Sequence, residues 1–291
     1  MRTVRAPATS ANLGSGFDTF GVALGRPADI VRVERAERTT IEVTGAGAQY
    51  IPEDPEKNTV GAVAEALDAP AHIQIDKGVR PASGLGSSAA SAAGAAFALN
   101  DLYDRGLSRE ELVPIAAEGE AVVAGTAHAD NVAPSLLGGF TIATAERVHS
   151  VPTSIPLVVC LPEEPISTRE ARRVVPPNVT IEEMVQTVGR ASTLTLGMCR
   201  SDPELVGGGM ADDVVTPRRA ALIDGYDDAV AAAEEAGAYG VTVSGSGPGV
   251  LAVCPEAARR DVASAMVGAF EANGSEARAY RTWVGDGATM L

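Results

Sequence analysis

Hydrophobic and polar positions change their period several times along the chain, and each change marks an element. Thr3 to Ala6 alternates as a strand, and a turn-rich stretch follows through Gly16. Ile30 to Arg35 alternates, and Thr40 to Thr44 does so again, which predicts a hairpin. Asn58 to Leu67 has a helical period and Ala71 to Ile75 a strand period. Ala89 to Tyr103 reads as a small-residue helix suited to lying very close on a sheet. Ser108 opens another helix, with Glu111 three residues on as a capping box, and this helix runs into Glu118 and Glu120. Residues 134 to 144 form a glycine turn and then a strand.

The pattern restarts after Val151 to Pro156. Leu157 to Leu161 is a short apolar strand, Ile181 to Leu196 a helix, and Arg218 to Ala236 contains another. Strands at Gly240 to Val243 and Val250 to Cys254, a helix over Ala257 to Asn273 and a strand over Ala277 to Thr282 complete the chain. Helices and antiparallel strands mix without a regular βα repeat, so an α+β class is expected over a doubly wound sheet. The proline-rich break divides it into two α+β halves, residues 1–152 and 153–291.

Composition narrows the function classes. The 291 residues are 45% hydrophobic and 21% charged, so a packed core is expected and disorder is not. A net charge of −15 repels phosphate backbones and argues against nucleic-acid or anionic-membrane partners. With 4% aromatic residues, base-stacking platforms are not expected. The same acidity fits a protein of high-salt cells, where excess carboxylate maintains solubility and its self-repulsion is screened. Cys160, Cys199 and Cys254 are far apart and lack metal-ligand spacing, so isolated buried thiols in a reducing compartment are expected. No apolar run reaches the roughly 18 residues of a membrane span, and MRTVRAPATSANLG lacks the apolar stretch of a signal peptide. A soluble cytoplasmic protein is therefore expected.

Three glycine clusters carry candidate chemistry. In PASGLGSSAAS, residues 81–91, Gly84 and Gly86 let backbone N–H groups turn inward, and the chain then enters a helix whose first amides attract an anion. Alone, this fits either a phosphate cradle or a glycine-rich helix entry packed on a sheet. No Gly-Lys pair exists, so it is not a P-loop. Gly84, Gly86 and Ala89 match GxGxxA, but Asp104, Gly106 and a second helix follow, not the strand ending in an acid that a dinucleotide fold needs. VSGSGPGV (243–250) and PATSANLGSGFD (7–18, with Ser10, Asn12 and Asp18) each read alone as loops.

Taken in order, Pro7 to Asn12, Pro81 to Ala89 and Gly245 to Pro248 resemble the three motifs of the GHMP kinases. Residues 6–24, 128–139, 166–176 and 217–226 resemble the branch of that family that phosphorylates homoserine. Thr216 and Asp224 depart from the branch's usual Glu and Pro. The resemblance implies a two-domain α+β fold, with an N-terminal ATP-binding domain containing a left-handed crossover and a ferredoxin-like C-terminal domain. It implies transfer of a phosphoryl group from ATP to the terminal hydroxyl of L-homoserine, a step of threonine biosynthesis.

It also implies a site. Arg172 and Arg219 match carboxylate-binding positions; a planar guanidinium fork suits that ligand. Asn12 and Asp18 match positions near the amino and hydroxyl ends, and His128 a substrate contact. Pro81, Gly84, Leu85, Gly86, Ser87, Ser88 and Ala89 match the phosphate loop. Lys77 resembles a lysine near the phosphates, and Asn58 is placed near adenine. Ser88 and Glu120 resemble the Mg²⁺ ligands, Glu120 by its eight-residue spacing to His128. Several relatives pair a catalytic aspartate with a lysine; this branch lacks that aspartate, and Asn131 stands in its neighbourhood. With His128 it is a candidate for a chemical role, and the expected route uses no dedicated protein base. The branch often forms homodimers, an expectation carried over here. The rivals are a shikimate-type member, which would need no acid for an ammonium, and a ligand-sensing relative without catalysis, which intact Ser88 and Glu120 oppose.

Overall fold

The structure is a computed structural model that describes residues 1–124 and 129–291. The first half holds β1 (Arg2–Ala11), β2 (Phe20–Arg35), β3 (Thr40–Gly45), α1 (Thr59–Ala66), β4 (Ala71–Lys77), α2 (Ser87–Leu102), α3 (Arg109–Ala124), α4 (Ala129–Leu137), β5 (Phe140–Ala143) and β6 (Val148–Val151). The second half holds β7 (Pro156–Pro162), α5 (Thr168–Arg173), α6 (Ile181–Arg200), α7 (Pro203–Gly209), α8 (Thr216–Ala220), α9 (Tyr226–Glu235), β8 (Gly240–Val243), β9 (Val250–Val253), α10 (Arg259–Ala272), β10 (Ala277–Trp283) and β11 (Thr289–Met290).

The first sheet runs β11-β1-β2-β4-β3, with β5 and β6 extending it from β2. The expected hairpin between β2 and β3 does not form. β4 lies between them, antiparallel to β2 (Val31 opposite Ile75) and parallel to β3 (Ile41 opposite Ile73). Alternation fixes which face of a strand is buried and is silent about its partner. The link Ala36–Thr39 also lacks the Gly, Asn or Asp that a tight hairpin turn requires. β1 likewise continues beyond Ala6 to Ala11. A bulge between Pro7 and Thr9 absorbs the proline, which a regular ladder cannot accept.

Polyalanine α2 covers this sheet as its composition predicts. A Cβ added at Gly94 would stand 2.7 Å from Val31 Cγ2 and 3.1 Å from the Ala6 Cβ, so helix and strands touch at backbone range. The capping box of α3 is reciprocal: Glu111 N–H donates to Ser108 Oγ (3.2 Å) and Ser108 N–H to Glu111 Oε2 (2.8 Å).

The second sheet is antiparallel, in the order β10-β7-β9-β8. Its chain order is β-α-β-β-α-β, the ferredoxin-like arrangement. One core joins the two sheets. Leu13, Phe20 and Phe140 from the first half pack with Leu157, Leu251 and Met198 from the second. β11 then returns to pair with β1, Val4 opposite Met290. The three cysteines are free, but Cys199 is exposed on α6, contrary to the buried expectation. Most of that helix faces solvent, so its pattern of apolar residues does not translate into burial.

Candidate active site

The seam between the halves brings the three glycine clusters together. Gly245 N–H donates to the Ala11 carbonyl (3.1 Å), and Asn12 Nδ2 donates to the Gly245 carbonyl (2.9 Å). Ser244 Oγ hydrogen-bonds both the Gly84 carbonyl and Ser10 Oγ, each at 2.8 Å. They bound a cavity of about 500 Å³. Its lining includes Asn12, Asp18, Asn58, Lys77, Pro81, Gly84, Gly86, Ser87, Ser88, Glu120, Asn131, Arg172 and Arg219, so residues up to 207 positions apart in the chain share one space. Leu85 and Ala89 are buried beneath it, and the Leu85 carbonyl ties the loop to β1 through Thr9 N–H (3.1 Å). His128 lies outside the described residues.

The loop meets the demands of an anion cradle. Gly84 (φ 75°) and Gly86 (φ 59°) are left-handed, and no side chain caps the start of α2. A Cβ at Gly84 would sit 2.3 Å from the Ser244 carbonyl oxygen, and one at Gly86 2.1 Å from Thr9 Oγ1, so neither position admits a side chain. Uncapped first-turn amides and the dipole of a 16-residue helix attract phosphate.

Lys77 supports this loop from beneath. Its ammonium pairs with buried Asp29 and donates to the Ser87 carbonyl (2.7 Å) and Ser91 Oγ (2.8 Å). These three contacts match its three N–H donors. Asp29 also accepts from Gly78 and Val79 N–H, both at 3.0 Å. Burial pulls the Lys77 ammonium below the ordinary lysine range, and the Asp29 charge opposes that pull. Ser87 Oγ is spent on the Val79 carbonyl (2.7 Å). Asn58 caps α1 through Val60 N–H (3.1 Å) and donates to the Pro52 carbonyl (2.6 Å) while still lining the cavity.

Ser88 Oγ donates to Glu120 Oε1 at 2.6 Å. Burial raises the Glu120 carboxyl to about 7, with a smaller contribution from the Asp130 charge. Hydroxyl and carboxylate are the hard donors that Mg²⁺ takes, and it keeps other positions for water and phosphate oxygen. No group of three His, Cys, Asp or Glu residues suited to a metal occurs among the described residues. Ser88 and Glu120 supply two hard oxygens that fit a cation also held by a phosphate ligand.

The same cavity is lined by a cluster of three charges, Asp18, Arg172 and Arg219. Arg172 clasps Asp18 bidentately, Nη1 to Oδ2 at 2.6 Å and Nη2 to Oδ1 at 2.9 Å. The hydrogen bond to Asp18 raises the Arg172 pKa further. Arg219 is buried, donates Nη1 to the Gly245 carbonyl (2.6 Å), and is lowered first by burial and then by Arg172. Both guanidiniums stand over the ring of Phe17, at 5.2 and 5.1 Å from its centroid. Asn12 Oδ1 accepts from Asp18 N–H (2.9 Å), and Asn131 Oδ1 accepts from Thr9 Oγ1 (2.8 Å) beside Gly86. Sequence reasoning missed Phe17, Asp29 and Asp130. None of the three left a local signal: Asp29 precedes the alternating stretch that begins at Ile30.

A helix-terminus phosphate cradle, a hard-oxygen cation pair and a zwitterionic cluster share one cavity, and this defines the class as a phosphotransferase acting on a small charged molecule. The model of the GHMP kinases N terminal domain matches residues 57–139, and that of the GHMP kinases C terminal matches residues 195–272. Homoserine kinase of Halorubrum lacusprofundi is 72% identical over 100% of this chain and 99% of its own, and that of Haloquadratum walsbyi is 72% identical over 100% of both. The crystal structure of homoserine kinase from Cytophaga hutchinsonii superposes with a TM-score of 0.90 at 34% identity, covering 100% of this chain and 97% of the other. The chain belongs to the GHMP kinase family. The first two relatives are haloarchaeal, in accord with the high-salt reading of the −15 charge.

Proposed function

We propose that this chain transfers the γ-phosphoryl group of ATP to the terminal hydroxyl of L-homoserine. The observation that carries the reading is that one cavity is lined both by the start of α2 and by the Asp18–Arg172–Arg219 cluster. The names of the relatives support the substrate.

In this reading the α2 amides hold the phosphates, and Arg172 and Arg219 fix the amino-acid carboxylate. Ser88 and Glu120 would hold Mg²⁺, which neutralises charge on the phosphates when bound. The hydroxyl oxygen attacks the γ-phosphorus in line, the bond to the ADP oxygen breaks, and the hydroxyl proton passes to a phosphate oxygen or to water. Asn131, fixed by Thr9, positions the reacting group and is not ionisable. Positioning and charge stabilisation account for most of such a reaction. No helix among the described residues is long and apolar enough to cross a membrane, and a small-metabolite kinase of this kind is assigned to the cytoplasm. The change of sheet between Val151 and Pro156 supports dividing the chain at residue 152.

The test is ADP release at high salt with homoserine, shikimate, mevalonate and galactose. Homoserine is expected to give the highest kcat/KM, and no turnover with it at any salt concentration would refute the reading. A second expectation concerns Phe17. Each cation–π contact contributes roughly 0.5–1 kcal/mol at a partly exposed site, so Phe17→Leu should raise KM for homoserine roughly tenfold. KM for ATP should stay within twofold; an equal rise there would mean that the ring serves general packing.

A further inference from the structure

We propose that the solvent face of α6 is a self-association surface, on which a second copy of this chain docks antiparallel, helix against helix. α6 has 20 residues and is about 30 Å long. Its core side is Leu194, Gly197 and Met198. The opposite side carries Ile181, Val185 and Val188, which are 73%, 62% and 59% exposed, and continues through Ser192 and Leu196 to Cys199. These positions recur every three or four residues and so form one stripe, a spacing that ordinarily marks a buried face.

The stripe is also unlike the rest of the surface. From Met184 to Cys199 the helix has no Asp or Glu, in a chain that holds 38 of them. A contiguous exposed apolar patch marks a contact site. The patch widens on one side, where Met184 and Val188 also line a groove of about 350 Å³ together with Val179, Phe20 and Val214.

The occupant follows from the charges at the two ends. Glu182 and Arg200 are exposed and, among the described residues, hold no ion pair. They stand about five turns apart, so they lie along the same flank of the helix. A two-fold axis that crosses the middle of the helix within the interface reverses the helix direction and keeps each flank on its own side. Glu182 of one copy then meets Arg200 of the other, at both ends. The same operation sets Val185 beside Leu196 and Gly189 beside Ser192. A Cβ at Gly189 would meet nothing within 4 Å, so the crossing is open to close approach. A patch that complements itself in this way is what a two-fold dimer needs. The charge of −15 on each copy opposes association and is screened at high salt, and it disfavours an anionic membrane as the occupant. One helix face is a small interface, so the dissociation constant is expected on the order of 10 μM.

Sedimentation equilibrium in multimolar KCl should show a monomer–dimer equilibrium. Val185→Glu should raise its dissociation constant by about tenfold or more, with an unchanged thermal melt. The register is read by a thiol. In antiparallel packing Cys199 faces Ile181 of the other copy, and the two Cys199 thiols are far apart. Ile181→Cys should therefore give a disulfide-linked dimer on treatment with diamide, which takes up the two electrons and two protons that the thiols release. Wild type and Ile181→Cys/Cys199→Ser should give none. A monomer at every concentration, an association unchanged in Val185→Glu, or a wild type that links through Cys199 overturns the assignment. None of these readouts depends on the phosphoryl-transfer reading.

Discussion

Lys77→Met is expected to lower the stability of the protein by about 3–5 kcal/mol, because it leaves Asp29 buried with a charge and no counter-ion. In a chain of 291 residues, that lowers Tm by roughly 6–15 °C. The reasoning rests on where the ammonium points. Its donors go to Asp29, the Ser87 carbonyl and Ser91, all beneath the phosphate loop. Asp29 in turn holds Gly78 and Val79, the residues that lead into the loop. The pair is therefore a post on which the cradle stands, and KM for ATP should rise as a consequence of its loss. The double variant Lys77→Met/Asp29→Asn should recover part of the Tm, since the orphaned charge is gone. A lysine that served the phosphates directly would give the reverse result: an unchanged Tm in Lys77→Met and no dependence on Asp29.

The contrast between Lys77 and Ser88 explains what the chain disclosed before its structure was known. A phosphate loop is built from local backbone conformation, so the glycine turn at Gly84 and Gly86 and the helix after it are legible from spacing, while their phosphate role takes the three motifs in order. Ser88 and Glu120, 32 positions apart, were paired through family resemblance, and the structure joins them at 2.6 Å. For Lys77, the resemblance implies a place near the phosphates. Its partner Asp29 lies 48 positions back in another strand, and nothing local announces that contact. The β2–β3 hairpin failed for the same reason: pairing across β4 is a property of the whole sheet, and alternation carries only the face. Asp130 lies in a segment where the resemblance singles out His128 and Asn131, and its own burial follows only from the packing of distant elements. Surface acidity, read first from composition, describes the solvent more than the site. At high salt its repulsion is screened, whereas the buried charges of the cavity are screened much less.

Glu120→Gln should separate catalysis from stability most sharply. Glu120 shares its 2.6 Å hydrogen bond with Ser88, and the two are the side chains that fit Mg²⁺ here. Removing the charge from that pair forfeits several kcal/mol of transition-state stabilisation, so kcat should fall about 10³-fold, and the Mg²⁺ concentration for half-maximal rate should rise. Stability should move the other way. The folded carboxyl stands at about 7 against an ordinary 4.5 because it is buried. Below pH 4.5 both folded and unfolded forms hold the proton, and the group has no effect. Between 4.5 and 7 the folded form keeps a proton that the unfolded form has released, so the stability of the ligand-free protein falls as pH rises through that window. Above 7 the full penalty applies, on the order of 3 kcal/mol. Asp130, raised to about 6 by burial, adds a fall of the same sign that is complete about one pH unit lower. Ligand-free Glu120→Gln should therefore melt several degrees higher than wild type at pH 8 and at nearly the same temperature at pH 4. Melting curves at the two pH values, with steady-state rates over a Mg²⁺ titration, check both halves. A variant that keeps activity within tenfold of wild type would remove Glu120 from the cation site. One that melts lower at pH 8 would mean the carboxylate is ionised and compensated in the ligand-free fold.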